Sequence, residues 1–388
     1  MASVESFEVG IVGAGIHGAS AAFHLASRRV RTVLFERGGV ASGPTGRSSA
    51  ICRAYYTNEF LACVARDSLE MFRHFDEICP GGGAEFRQTG FLWMHSAEDE
   101  PQTRDTVSRL NALGTVVELL SRDEVAQRFP LFDLTGIGVA AWEPNAGYAD
   151  PAGTTAGMLN RARELGAEVR LHQRVLRLEA NEKGGASVVT SDGVRTYCEK
   201  LLIAAGPWTR TLASDVGVSL PLTVERHVVA TVTRPPGDVI CGHADSVGGY
   251  YGRPEGRQLY LFGGLTPQGN VDPDHFDEAI SASETEELVE LALHRVPRFR
   301  EASSTGGWAS LYDVSPDWQP VIGEIAKGIF VDAGTSGHGF KLGPALGKHV
   351  ADMVIGESTD SRLEQFQPAR FEQGRHLGAG YGAARIIG

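Results

Sequence analysis

The segment "FEVGIVGAGIHGASAAFHLASRRVRTVLFERGG", residues 7–39, constrains the fold more than any other part of the chain. It reads as an apolar strand, a glycine turn, a helix and a second strand. Gly13-x-Gly15-x-x-Gly18 stands at the strand-to-helix junction, and Glu36 ends the second strand. Each glycine answers a physical demand. Gly13 permits the turn, Gly15 lets backbone N–H groups reach a pyrophosphate at the positive end of the helix, and Gly18 lets the helix close on the strand. Ala14, Ile16 and His17 fill the intervening positions and belong to the same ligand-facing turn. Glu36 stands where a carboxylate accepts hydrogen bonds from a ribose. The combination predicts an α/β chain with a doubly wound, Rossmann-like sheet and an ADP-containing cofactor.

The next residues, "RGGVASGPTGRSSAICRAYY" from Arg37 to Tyr56, are rich in Gly, Ser and Thr where a nicotinamide-type domain would continue with its next helix and strand. Such a segment can cross the pyrophosphate and reach toward a second ring system. The fingerprint, Glu36 and "SGPTGRSSAICR" together resemble the D-amino-acid oxidase and sarcosine oxidase superfamily of FAD-dependent oxidoreductases, closest to its sarcosine oxidase, beta-subunit-like branch. The resemblance implies an extended FAD, with Arg37, Ser42, Arg47, Ser48 and Ser49 along it.

Later motifs carry the resemblance through most of the chain. In "DPAGTTAGMLNRARELGAEVRLHQRVLRLEA" a capped helix from near Pro151 leads to a strand around Glu168–Leu171 and a second extended run. The resemblance places the Val175 backbone against adenine, where pattern alone reads a core valine. "KLLIAAGPWTR" is a buried-type strand entering a turn, and the resemblance makes Ala205, Gly206 and Trp208 flavin contacts. "DAGTSGHGFKLGP" resembles the closing motif, implying contacts from Gly337, His338, Gly339, Phe340 and Lys341. The implied organisation is a discontinuous FAD-binding domain of residues 1–85, 145–221 and 311–372. A mainly antiparallel substrate domain takes 86–144 and 222–310, leaving a tail at 373–388.

Composition narrows the function classes. With 36 basic against 48 acidic residues in 388, the net charge of −12 argues against a phosphate-backbone partner. The five cysteines show neither Cys-x-x-Cys spacing nor a Cys/His cluster, so no metal site or disulfide framework is expected. "MASVESFEVG" lacks a basic leader before an apolar run, and the early apolar run is broken by glycines and His17; no signal peptide, no membrane span and a cytoplasmic location are expected.

The implied reaction is hydride transfer from a carbon bearing a neutral amine to FAD, giving an imine that water hydrolyses. Arg53 and Lys341 match the branch's two carboxylate-binding cations and would together favour a small amino acid or N-alkyl amino acid. Tyr251 matches an aromatic residue beside substrate, with a half-buried strand tyrosine as the competing reading. His338 stands near the flavin by the same resemblance, with a structural hydrogen bond as its alternative; His227 is a weaker candidate. Two departures matter. Ser310 stands near the position of the flavin-linking cysteine of monomeric sarcosine oxidases, which implies noncovalent FAD, and Tyr260 aligns with their oxygen-activating lysine. Oxygen and a protein acceptor, including a partner subunit, therefore both stay open. So do a 2-hydroxy-acid substrate and a flavin-binding subunit of a larger complex.

Overall fold

The computed structural model describes residues 5–235 and 241–378. Its first sheet is built on Glu5–Val12, the strand that enters the glycine turn. That strand pairs in parallel with Thr32–Phe35 on one side and Arg195–Ile203 on the other. Glu168–Arg170 extends the parallel order beyond Thr32–Phe35. Arg195–Ile203 divides its other edge: Leu201–Ile203 pair with Ile329–Ala333, while Arg195–Cys198 pair antiparallel with Ala186–Thr190. Alternation along these strands buries both faces. Leu34, Leu202 and Phe330 join one core, and Val33, Phe35, Leu201, Ile203 and Val331 join the other.

Helices Ile16–Ser27 and Gly339–Ile355 pack at backbone range on the first of these faces. A Cβ on Gly343 would lie 2.7 Å from Ile16, and one on Gly347 would lie 2.1 Å from the Ser20 hydroxyl and 2.8 Å from its carbonyl carbon. Pro344 lies inside the second helix, and its carbonyl accepts from Ser20 Oγ at 2.9 Å and shares a 3.1 Å contact with His24 Nε2. Helix Glu59–Arg73 joins them, starting at Asn58, whose side chain accepts from Leu61 N–H. Such a cap contributes about 1 kcal/mol.

The second sheet runs Ser304–Val314, Thr223–Thr233, Leu259–Gly264, Tyr250–Glu255, Gly242–Asp245, Phe91–His95, Val139–Glu143 and Glu118–Ser121. Its pairs are antiparallel except between Gly242–Asp245 and Phe91–His95. One face, through Tyr250, Tyr260 and Phe262, packs on Leu288 and Ala292 of helix Ala282–Arg295. The other, through Trp93, Ala141, Val229, Tyr251 and Leu261, shares a core with the helices of the first sheet. Strand Ser304–Val314 stays in the second sheet over its whole length, so the 310/311 boundary falls inside a strand. Leu377 of the expected tail is anchored by an N–H bond to Asp317 at 3.1 Å, whereas 379–388 lie outside the described residues. Among the described residues no helix is long and apolar enough to cross a membrane.

The helix contact sets a stability expectation. Gly347→Ala forces a methyl into Ser20 and is expected to destabilise by about 1–3 kcal/mol, read by urea denaturation. Lys348→Ala, at an exposed position one residue on, is expected to change stability by less than about 0.5 kcal/mol.

Candidate cofactor and substrate site

A cavity of about 400 Å³ runs from the glycine turn to the second sheet. At the turn the backbone leaves no room for side chains. Gly13 has φ +111°, and a Cβ there would come 2.4 Å from the Ala204 carbonyl; one on Gly18 would come 2.0 Å from the Gly13 carbonyl. Gly13, Gly15, Ile16 and His17 line the cavity, while Gly18 and Ala14 sit behind them. Glu36 also lines it. Its two oxygens accept the N–H groups of Ala14 (2.8 Å) and Gly38 (2.7 Å), so the carboxylate fixes the turn as well as facing the ligand space.

Val175, Ala205, Gly206 and Trp208 line the same region, with Arg37 stacked over Trp208 at 3.7 Å. Asp274 accepts from both Arg37 and Trp208 Nε1 at 2.9 Å, closing this end with a loop that sequence motifs did not mark. Ser42, Arg47, Ser48 and Ser49 continue the lining. Arg47 pairs with Glu278 at 2.8 Å, and its carbonyl accepts Trp308 Nε1–H at 2.8 Å. Arg253, another residue without a motif, is buried and donates from Nε to the Ser49 carbonyl. These contacts pin the Gly/Ser segment against the second sheet.

Midway, His17 Nδ1 lies 2.8 Å from Asp332 Oδ2 and Nε2 lies 3.1 Å from the Gly339 carbonyl. Burial works against the His17 imidazolium, but Asp332 and then Asp313 outweigh it and raise the pKa. Burial raises the Asp313 carboxyl, which accepts the Gly334 N–H at 2.6 Å. All three side chains line the cavity, with Gly337, Gly339 and Phe340 beside them.

The second-sheet end is walled by Tyr251, Tyr312 and His227. Tyr251 hydrogen-bonds Ser49 and Tyr312, and Tyr312 stacks on His227 with ring centres 3.9 Å apart. His227 Nε2 lies 3.1 Å from Glu225 Oε2, which also accepts the Gln268 N–H at 2.8 Å. Neither Tyr312 nor Glu225 was among the site candidates; which face of their strands meets the cavity becomes visible only once the register is known.

Arg53 and Lys341 were expected to face one carboxylate in the ligand space. The structure brings them within electrostatic reach of each other, but neither lines the cavity. Arg53 is 3% exposed; it donates to the Tyr55 carbonyl and lies 4.6 Å from the rings of both Tyr56 and Trp93. A buried guanidinium collects such acceptors and ring faces because it cannot shed its charge. Lys341 can: burial, then Arg53, holds its pKa well below the ordinary lysine range. Glu143, absent from the sequence candidates, accepts the Ala54 N–H at 2.7 Å, and burial pushes it to about 7 against the pull of Arg53. His338 is buried 5.6 Å from the Tyr56 ring and does not line the cavity.

Tyr260 requires a correction. Its hydroxyl contacts the Cys241 carbonyl and His243 Nδ1, both at 2.9 Å, within the core on the far face of the sheet. It does not occupy a position facing the ligand space. The strand's neighbouring residue Leu261 points to the inner core, and side chains one residue apart stand on opposite faces.

The glycine cradle, the flanking Glu36 and the long continuous lining fit an extended dinucleotide. A family model described as "FAD dependent oxidoreductase" matches residues 8–353. The chain belongs to that family. It is 26% identical over 384 residues to glycine oxidase of Geobacillus kaustophilus, covering 96% of this chain and 98% of the relative. It is 25% identical to peroxisomal sarcosine oxidase of Homo sapiens, covering 93% and 95%. The crystal structure of L-proline dehydrogenase from P. horikoshii has a TM-score of 0.86 at 24% identity, covering 96% and 100%, and shows the shared fold.

The raised Glu143 pKa has a sign. Folding favours its protonated form, so its stability contribution is complete below about pH 4.5 and declines as pH rises to about 7. Glu143→Gln is expected to flatten this decline, by at most about 3 kcal/mol, in urea denaturation across that range. Parallel curves for the two proteins would contradict the assignment.

Proposed function

We propose that this chain binds FAD noncovalently and oxidises the C–N bond of a small amino acid or N-alkyl amino acid to an imine, which water hydrolyses to a carbonyl compound and an amine. The observation that carries the reading is the single cavity joining the glycine cradle to the Tyr251–Tyr312–His227 wall. Glycine oxidase and sarcosine oxidase among its relatives support the amine class. When bound, FAD supplies the hydride acceptor. The protein holds the cofactor along Gly13–Gly18, Glu36 and Val175, and presents Tyr251 to the substrate.

Arg53 and Lys341 supply positive potential for the substrate carboxylate from behind the lining. A carboxylate placed near both would relieve their mutual repulsion and favour the charged form of Lys341. Ser310 faces the cavity, and no cysteine is among the described lining residues, which supports noncovalent attachment. Oxygen or a protein acceptor, including a partner subunit, takes the electrons afterwards; the rate of reoxidation in air of the isolated chain distinguishes them. A cytoplasmic location accords with this reading.

Anaerobic titration with amino acids, N-methyl amino acids and 2-hydroxy acids tests the proposal through loss of flavin absorbance. Reduction by the amine series is expected, and reduction by hydroxy acids alone would reject it. Arg53→Met and Lys341→Met should each weaken substrate binding about tenfold or more while FAD is retained. Acid precipitation should leave FAD in the supernatant; flavin remaining with the pellet would contradict noncovalent attachment.

A further inference from the structure

Asp332 is the last residue but one of the strand Ile329–Ala333 and lines the cavity, yet only 2% of it is exposed. Oδ2 is occupied by His17 Nδ1. Oδ1 is buried and has no hydrogen-bond partner among the described residues. A buried carboxylate oxygen without a donor is costly, so the atom calls for a donor that the described residues do not provide. Nearby groups restrict which donor it can be. Gly13, Gly15 and the start of helix Ile16–Ser27 form the end suited to a pyrophosphate, which offers acceptors and no donor at neutral pH. His17 Nδ1 lies 2.8 Å from Asp332, a contact that favours the imidazolium and, in that form, offsets the carboxylate's charge beside an anion. Hydroxyl donors flank the pyrophosphate of FAD on both sides; those of the adenosine ribose fall to Glu36, which lines the cavity at the glycine turn, and this leaves the hydroxyls of the sugar-alcohol chain for Asp332.

We propose that Asp332 Oδ1 accepts a hydrogen bond from a ribityl hydroxyl of FAD, and that His17 is the positioning residue that holds Asp332 for it. The proposal rests on the FAD reading above and adds two residues with distinct roles: Asp332 touches the cofactor, while His17 acts through Asp332. The paired side chains also join the first glycine motif to the last, since His17 reaches the Gly339 carbonyl from the same ring.

The test is FAD binding to the apoprotein, measured by quenching of flavin fluorescence. FAD is compared with its 2′-, 3′- and 4′-deoxyribityl analogues. Asp332→Ala should raise the Kd for FAD about 10- to 100-fold. One deoxy analogue should bind the native protein correspondingly more weakly, and Asp332→Ala should cost that analogue almost nothing further. His17→Gln should weaken FAD less than Asp332→Ala, with the loss concentrated on the same hydroxyl. Asp332→Asn, similar in size and still an acceptor, guards against misfolding and should give an intermediate loss.

Equal weakening of FAD and all three analogues by Asp332→Ala would assign Asp332 a structural role and overturn the proposal, as would an unchanged Kd. Failure of the native apoprotein to bind FAD would instead reject the cofactor reading itself.

Discussion

Backbone-range contact between helices Ile16–Ser27 and Gly339–Ile355 is the constraint on which the site depends. Gly343 against Ile16 and Gly347 against Ser20 leave no space for a side chain on the second helix. Because each helix begins beside the cavity, closing the helices on one another sets the distance between the first glycine turn and the final one. The Pro344 carbonyl is used in the same contact, accepting from Ser20. The bond ties the proline-bearing turn of one helix to the first turns of the other.

Much of this arrangement was legible in the sequence because it is local. The fingerprint, Glu36 and the strand-turn-helix order lie within one supersecondary unit, where spacing prescribes geometry. The second sheet was less legible. Its strands could be found by alternation, but which side of each strand faces the ligand depends on partners far away in sequence. Tyr260 shows the consequence: its strand was identified, whereas its side chain belongs to the opposite core. Glu143, Arg253 and Asp332 were missed for a related reason. Glu143 acts on Ala54, Arg253 on Ser49 and Asp332 on His17, and no short motif records such pairs.

The two sheets are joined by contacts of unequal strength. At the end closed by Trp208, Arg37 and Asp274 are both substantially exposed, and such ion pairs contribute about 0–1 kcal/mol. Toward the other end, the Arg253 guanidinium and the Glu143 carboxylate are buried and hydrogen-bond backbone groups of the Gly/Ser segment and its continuation. Removing either partner from a buried charged contact leaves an uncompensated group, so these interactions specify position more strictly than the surface pair. The segment that carries Ser48, Ser49 and Arg53 is therefore fixed most firmly toward the second-sheet end of the cavity.

Buried charge is treated differently beside the cavity and away from it. Arg370 and Asp317 meet in two bonds of 2.9 Å, and Arg370 also donates to the Phe366 and Gln319 carbonyls. Arg295 is similarly satisfied by Asp245 and the carbonyls of Asp133 and Thr135. Such saturated groups hold the fold together. In the cavity lining, Asp332 retains an oxygen without a described donor; among the buried residues outside that lining, Glu143 is pushed toward protonation and Lys341 toward neutrality. A protein stabilised only for its own sake would satisfy the open Asp332 oxygen or replace such groups with apolar side chains. Groups left in this condition are what functional sites commonly hold, whereas a purely structural pair is saturated by its own neighbours.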